Sequence, residues 1–304
     1  MRLTGLTRVL LTTLAFLVGG ANAQEFEKQL TDFVSIARSV TRTEKTDAEK
    51  SAEVEAAFAK RFALSFAPAD LKKYTDADLG MLFEANSEAV FVAREPRYAN
   101  NMAALLGELE IRRKASARQY AELFKSFVRT RQFALASELA ARKVLDSPPS
   151  LPEFRYGVDL APGVPAEWVI AALGRVAELR AVDLSRDWQV VVVSHPNCRF
   201  SRNAMESINA DNELRQLLEG RTSWVTPQDG SFEFDALQQW NSMFPKMQIS
   251  VVHLSKDWPL TNFSATPVFY FLAKGKVVTS FSGWPKEGNK IALHDALKLV
   301  RQLR

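Results

Sequence analysis

One cysteine, Cys198, stands alone in 304 residues. It excludes an internal disulfide, so no covalent staple of that kind holds the fold. Histidine is nearly as scarce. His195, His253 and His294 are the only three, and they lack the ligand spacing of a zinc centre, so neither metal nor cofactor is expected. Basic blocks are missing too. Lys and Arg exceed Asp and Glu by only 39 to 35, with no run of five, so nucleic acid is not an expected partner. Beyond residue 23 no segment is apolar enough to span a membrane. What remains, 47% hydrophobic and 24% charged, is an ordinary globular composition of about two domains' length.

The N-terminus has three parts. Met1–Arg8 carries Arg2 and Arg8 and no acid, Val9–Gly20 is apolar, and Ala21-Asn22-Ala23 offers small residues. This pattern predicts a signal peptide, 1–23, cleaved after Ala23, and a periplasmic or secreted mature chain without a membrane span. An uncleaved N-terminal anchor is the alternative. Disulfides persist in an exported compartment. A lone cysteine there reads as a reactive thiol or an intermolecular bond, or as an inert buried side chain.

Residues 24–147 read as an all-helical domain. Phe26, Leu30, Phe33, Val34 and Ala37 recur at helical spacing, as do Leu79, Leu82, Phe83 and Val90. "TDAD" at Thr75–Asp78 has the form of a helix start, and "EPRY" at Glu95–Tyr98 breaks the helix before it. About six helices are predicted. In Ala117–Ser150, Tyr120, Leu123, Phe127, Ala136 and Pro148 fall where a tetratricopeptide repeat places its characteristic residues. The segment resembles that helical hairpin, although Phe124 and Lys143 stand where the repeat wants small side chains. The resemblance implies a stacked array whose concave face binds a protein or peptide. A plain helical bundle is the alternative.

"DSPPSLPEFRYGVDLAPGVP" places five prolines in twenty residues, which no helix accommodates. It predicts an interdomain linker over 148–175. Beyond it, 176–304 reads as α/β. Trp188–Ser194 suits a strand buried on both faces. A helix over Arg199–Leu218, a strand at Thr222–Thr226, a helix at Phe234–Met243 and a strand at Gln248–Leu254 follow. Thr266–Trp284 reads as a hairpin turning at Lys274-Gly275, and Lys290–Leu303 as a last helix. The predicted class is α + α/β, with helices on both faces of the sheet.

Within 183–304 the order of elements resembles the thioredoxin fold, and the periplasmic thiol-disulfide oxidoreductase and disulfide-isomerase-like proteins in particular. Cys198 falls four residues past the strand end, at the position of that family's first active-site cysteine. Thr266-Pro267 matches its cis-proline dipeptide, and "GKVVTSFSGW" its last strand. The family motif has two cysteines. Here it reads Cys198-Arg199-Phe200-Ser201, so Ser201 replaces the second. An alternative alignment makes Cys198 the second cysteine and His195 the lost first one.

The resemblance implies a nucleophilic thiolate at Cys198, at a helix N-terminus where free N–H groups and the helix dipole favour negative charge. Arg199 and His195 would add positive charge, or His195 would take the thiol proton, and Ser201 would hydrogen-bond the sulfur. Thr266 and Pro267, with Pro196 and Asn197 in the turn, would hold a substrate segment. Without a second thiol the chain cannot store a disulfide. The implied partner is an exported protein or peptide, with an external thiol as reductant. The alternative is a thioredoxin-fold binding module of the cell envelope without catalysis.

Overall fold

The computed structural model describes residues 10–142, 145–146, 148–157 and 159–302, with side-chain surroundings from Gln24 onward. The expected leader, 1–23, lies outside the described residues at 1–9, and over 10–23 only a helical backbone is described.

Seven helices make up the first half of the described chain: α1 (Leu10–Thr41), α2 (Asp47–Arg61), α3 (Pro68–Leu71), α4 (Asp76–Ala93), α5 (Pro96–Ile111), α6 (Ala117–Arg129) and α7 (Phe133–Ala141). Their starts are written locally. Thr46, Thr75 and Ser116 each accept a bond from a backbone N–H three residues on. Glu49, Asp78 and Gln119 reach back to the capping residue's own N–H. Each such cap is worth about 1 kcal/mol. Three helix ends are marked by arginines in the left-handed region, Arg94 (φ 54°) after α4, Arg113 (φ 58°) just beyond α5 and Arg131 (φ 62°) just beyond α6. There the turned-back N–H groups satisfy the last helical carbonyls, Arg94 on Val90, Lys114 on Leu109 and Gln132 on Phe127.

The second half is one eight-stranded mixed sheet, in the order β1-β3-β2-β6-β5-β4-β7-β8. Its strands are β1 (Glu153–Arg155), β2 (Ala166–Ile170), β3 (Val176–Ala181), β4 (Gln189–Val193), β5 (Thr222–Thr226), β6 (Ile249–Val252), β7 (Val268–Ala273) and β8 (Lys276–Ser282). β4, β5 and β6 run parallel, while β7 is antiparallel to β4 and β8 to β7. Every residue of β4 is buried, because it lies between β5 and β7 with both faces covered. Lys274 and Gly275 both take positive φ in the β7–β8 turn, as a tight hairpin requires.

Three expectations are corrected. The segment 148–175 is more than a linker, since it supplies β1 and β2. Ala166, Trp168 and Ile170 point inward and alternate with half-exposed neighbours, and Trp168 pairs with both Leu179 and Val251. The helix expected over Arg199–Leu218 is two, α8 (Arg199–Ala210) and α9 (Asn212–Leu218). Asp211 takes an extended conformation between them, and its carboxylate accepts from Leu214 N–H. Finally, the sheet's helices share one face. α8, α10 (Phe234–Met243) and α11 (Lys290–Gln302) pack with Val190, Val192, Phe269 and Phe271. The opposite face, with Val191, Val193 and Tyr270, is covered by Trp258, Leu260 and Phe263 from the irregular return to β7. Right-handed crossovers between parallel strands laid down in one direction put their helices on one side.

The two halves share a core. Phe133 of α7 stacks on Phe154 of β1 at 3.5 Å and meets Trp168 and Phe232 edge-on. Arg131, buried, donates through Nε to His253 O at 2.9 Å and through Nη2 to Val252 O at 2.5 Å, at the end of β6. The helices therefore sit at the end of the sheet where the parallel strands finish. The turn carrying Cys198 lies at that same end.

Candidate functional site

β4 ends at Val193 and α8 begins at Arg199, and the turn between them carries His195, Pro196, Asn197 and Cys198. Cys198 is the N-cap residue of α8, extended at φ −88° and ψ 120°. The residue is half-buried. Sixty-eight positions on, Thr266 and Pro267 precede β7, joined by a cis peptide bond. Because β7 lies beside β4, the sheet register carries Thr266 to the sulfur, and the Cys198 thiol donates to Thr266 O at 3.2 Å.

Opposed influences act on the thiol. Burial, the largest, pushes it up. The Thr266 side chain, the N–H and hydroxyl of Ser201 and the N–H of Phe200 pull it down and together prevail, so the thiol lies below its ordinary value. The bond to Thr266 O works against ionisation, since only the protonated thiol makes it.

Ser201 is fully buried, one turn into α8, and its hydroxyl accepts from the His195 N–H at 3.2 Å. One side chain thus ties the strand end to the helix start. His195 Nδ1 accepts from Asn197 N–H at 3.2 Å, which assigns the ring proton of the neutral form to Nε2. Nε2 faces Asp229 Oδ2 at 3.7 Å. Asp229 raises His195 above the ordinary imidazole value, against the opposing effect of burial. Burial pushes the Asp229 carboxyl up, but His195, the Ser231 N–H and Arg131 outweigh it and hold it at about 2.

Of the residues singled out from sequence, Cys198, Ser201, His195, Thr266 and Pro267 come together. Pro196 is buried under the turn and Asn197 is exposed beside it. Arg199 is exposed and lies over the Phe200 ring at 5.5 Å, and it is not among the main influences on the sulfur. Asp229 was missed. Its signal was positional: "PQDGS" follows β5, at the end of the parallel strands where open α/β sheets gather functional loops.

The Asp229 loop is held by the helical half. Gln228 Nε2 donates to Arg129 O at 2.7 Å, and Arg94 Nε donates to Gln228 O at 3.2 Å. A Cβ on Gly230 would stand 3.0 Å from both Cβ and O of Lys125, so any other residue would push the loop and α6 apart by a few tenths of an ångström.

Among the described residues, no group of three His, Cys, Asp or Glu side chains is placed to hold a metal, and no helix is long and apolar enough to cross a membrane. Neither a known protein family nor a curated protein matches the chain. Among solved structures, a conserved protein of unknown function from Bacteroides fragilis is similar at 14% identity and a TM-score of 0.31, over 46% of this chain and 99% of that one.

Proposed function

We propose that the protein is a thioredoxin-like monothiol protein of an exported compartment, acting on disulfides or thiols of envelope proteins through a mixed disulfide at Cys198. The observation that carries the reading is the place of the sulfur. It belongs to a half-buried residue at the N-terminus of α8 and lies beside the Thr266 carbonyl, just before the start of β7. The strand order β5-β4-β7-β8, with α8 after β4 and α11 after β8, supports the likeness to the thioredoxin fold.

In this reaction the Cys198 thiolate attacks one sulfur of a substrate disulfide. A Cys198–S–S–substrate bond forms, the substrate S–S bond breaks, and the second substrate sulfur leaves as a thiolate that takes a proton from water. Ser201 cannot resolve the bond, because a hydroxyl does not attack it as a thiolate would. Release needs a thiol of the substrate or an external thiol, whose attack regenerates Cys198. The thiolate is favoured by Ser201 and Phe200, and Thr266 offers backbone groups on which an extended substrate segment pairs.

The test is pH-dependent alkylation of Cys198 together with non-reducing gels from the native compartment. An alkylation midpoint below about 8.5, the value of a free thiol, and a cysteine-dependent adduct are expected. A midpoint at or above it, with no adduct, refutes the reading.

One observation favours a second reading, a binding module without catalysis. The bond from the thiol to Thr266 O stabilises the protonated, unreactive form. In that case Cys198→Ser retains every partner, and reductant releases none.

A further inference from the structure

We propose that His195 and Asp229 form a proton-operated latch on the turn that carries Cys198: neutral His195 holds the turn closed, and the imidazolium, drawn to Asp229, frees the turn and releases the thiol. The latch regulates the thiol–disulfide site and rests on that reading for the reaction it controls.

Three bonds of the turn converge on His195. Its N–H donates to Ser201 Oγ at 3.2 Å, its carbonyl accepts from Cys198 N–H at 3.0 Å, and its Nδ1 accepts from Asn197 N–H at 3.2 Å. Only the third depends on the protonation of the ring. In the imidazolium both nitrogens carry hydrogen, so Nδ1–H would meet Asn197 N–H, donor against donor. That bond is lost and the ring must turn. Pro196 is buried and its φ is fixed by its own ring, whereas Asn197 is exposed. The freedom gained therefore falls on Asn197, the residue joined to Cys198.

The imidazolium has a place to go. His195 Nε2 stands 3.7 Å from Asp229 Oδ2, too long for a good hydrogen bond and near enough to close into one. The carboxylate is fixed. Its Oδ1 accepts from the N–H and the hydroxyl of Ser231 at 3.1 and 3.2 Å. Gln228, just before it, is held by Arg129 O, Arg94 Nε and the Ser255 N–H. The ring moves, and the loop receives it.

The charges around the ring agree with this direction. Asp229 raises His195 most, burial opposes it, and Glu233 and the Cys198 sulfur add to the rise. Asp229 is held at about 2, with Arg131 among the causes, and it also acts on Arg129, so it stays charged while His195 titrates. Because charge on the sulfur favours the imidazolium, linkage makes the imidazolium favour the thiolate. In the closed turn the thiol donates to Thr266 O and stays protonated. The latch is thus open at low pH and closes as pH rises through the raised value of His195.

The experiment follows the unsubstituted chain across one pH range by NMR of the Asn197 amide and the His195 ring, and by iodoacetamide alkylation of Cys198. The thiolate fraction is read from its ultraviolet absorbance, with Cys198→Ser as the blank. As pH falls through the His195 midpoint, Asn197 N–H should lose its hydrogen-exchange protection, and alkylation per thiolate should rise about fivefold, the effect of one hydrogen bond. His195→Gln, whose amide oxygen accepts from Asn197 N–H at every pH, should remove the rise. Asp229→Asn should move it to lower pH, and Asp229→Glu should return it towards its wild-type position. An Asn197 amide that stays protected while His195 titrates, or a rate per thiolate that does not change, overturns the latch. Glutathione disulfide, offered to the same chain, separates the latch from the reading beneath it. A step in alkylation with no Cys198 adduct refutes the thiol–disulfide chemistry and leaves the latch standing. Adducts formed at one rate per thiolate on both sides of the midpoint overturn the latch and leave the chemistry standing.

Discussion

Acid should loosen this protein where its halves meet, and His253 sets the window. His253 sits at the end of β6, where Arg131 donates to its carbonyl, and its Nδ1 accepts from Trp168 Nε1–H at 3.1 Å. Burial, with the charge of Arg131 added, lowers the ring from the ordinary 6.5 to about 4. Between those values the unfolded chain binds a proton that the folded chain refuses. Stability therefore holds above about pH 6.5 and falls as pH drops towards 4. The full difference corresponds to about 3 kcal/mol, and solvent at the part-exposed ring trims it to about 2. His195 acts in the opposite sense. Its value is raised, so its contribution is present at low pH and lost as pH rises through its folded value. Comparing the wild type with His253→Gln removes that contribution from the difference, because His195 is common to both. Gln keeps an acceptor for Trp168 and carries no proton. In urea unfolding followed by tryptophan fluorescence, wild type should lose about 2 kcal/mol more than the variant between about pH 7.5 and about pH 4.5. Equal losses would refute the assignment of acid sensitivity to this ring.

Three further outcomes are expected. Ser201→Ala removes a hydroxyl that favours the thiolate and orphans the His195 N–H, so Cys198 alkylation should move to higher pH, with a stability loss of about 1 kcal/mol in denaturant melts. Asp229→Asn takes away the charge that raises His195, so the imidazole signal in an NMR titration should turn at lower pH than in wild type; an unchanged midpoint would separate the two groups. Arg131→Met leaves Val252 O and His253 O without their donor, and the relief of a desolvated charge offsets only part of that loss, so a cost of about 2 kcal/mol is expected and a melt within error of wild type would contradict it.

The parts of the fold legible in the sequence were those specified by neighbours along the chain. Thr75 and Asp78 announce a helix start within four residues, Pro96 ends one helix and opens the next, and Lys274-Gly275 names its own turn. The valines of β4 declare a strand buried on both sides. β1 and β2 escaped because prolines flank them and charged Glu153 and Glu167 interrupt their apolar positions. Their strand character comes from pairing with β3 and β6, not from composition. The candidate site divides in the same way. Cys198, Ser201 and His195 lie within seven residues of one another, and motif order was enough to find them together with Thr266. Asp229 reaches His195 only because β5 lies beside β4 and the helical half fastens its loop, a juxtaposition no local pattern records. Nothing in the sequence sets Arg131 apart; what distinguishes it is the pair of carbonyls, Val252 O and His253 O, that it meets only in the folded chain.

The two strands drawn from the proline-rich segment also decide where this chain can be cut. A fragment beginning at residue 176 would keep Cys198 and Thr266 but lose β2, and β6 would then present its hydrogen-bonding edge to solvent. The apolar pocket that Trp168 fills would open beside it, together with the ring of Phe232. A bare parallel-sheet edge next to an uncovered aromatic surface is a template for pairing between molecules, so such a fragment should aggregate instead of behaving as a free-standing thiol domain. The smallest soluble unit that carries the thiol must extend upstream of Glu153, and Phe133, stacked on Phe154, draws α7 into it as well.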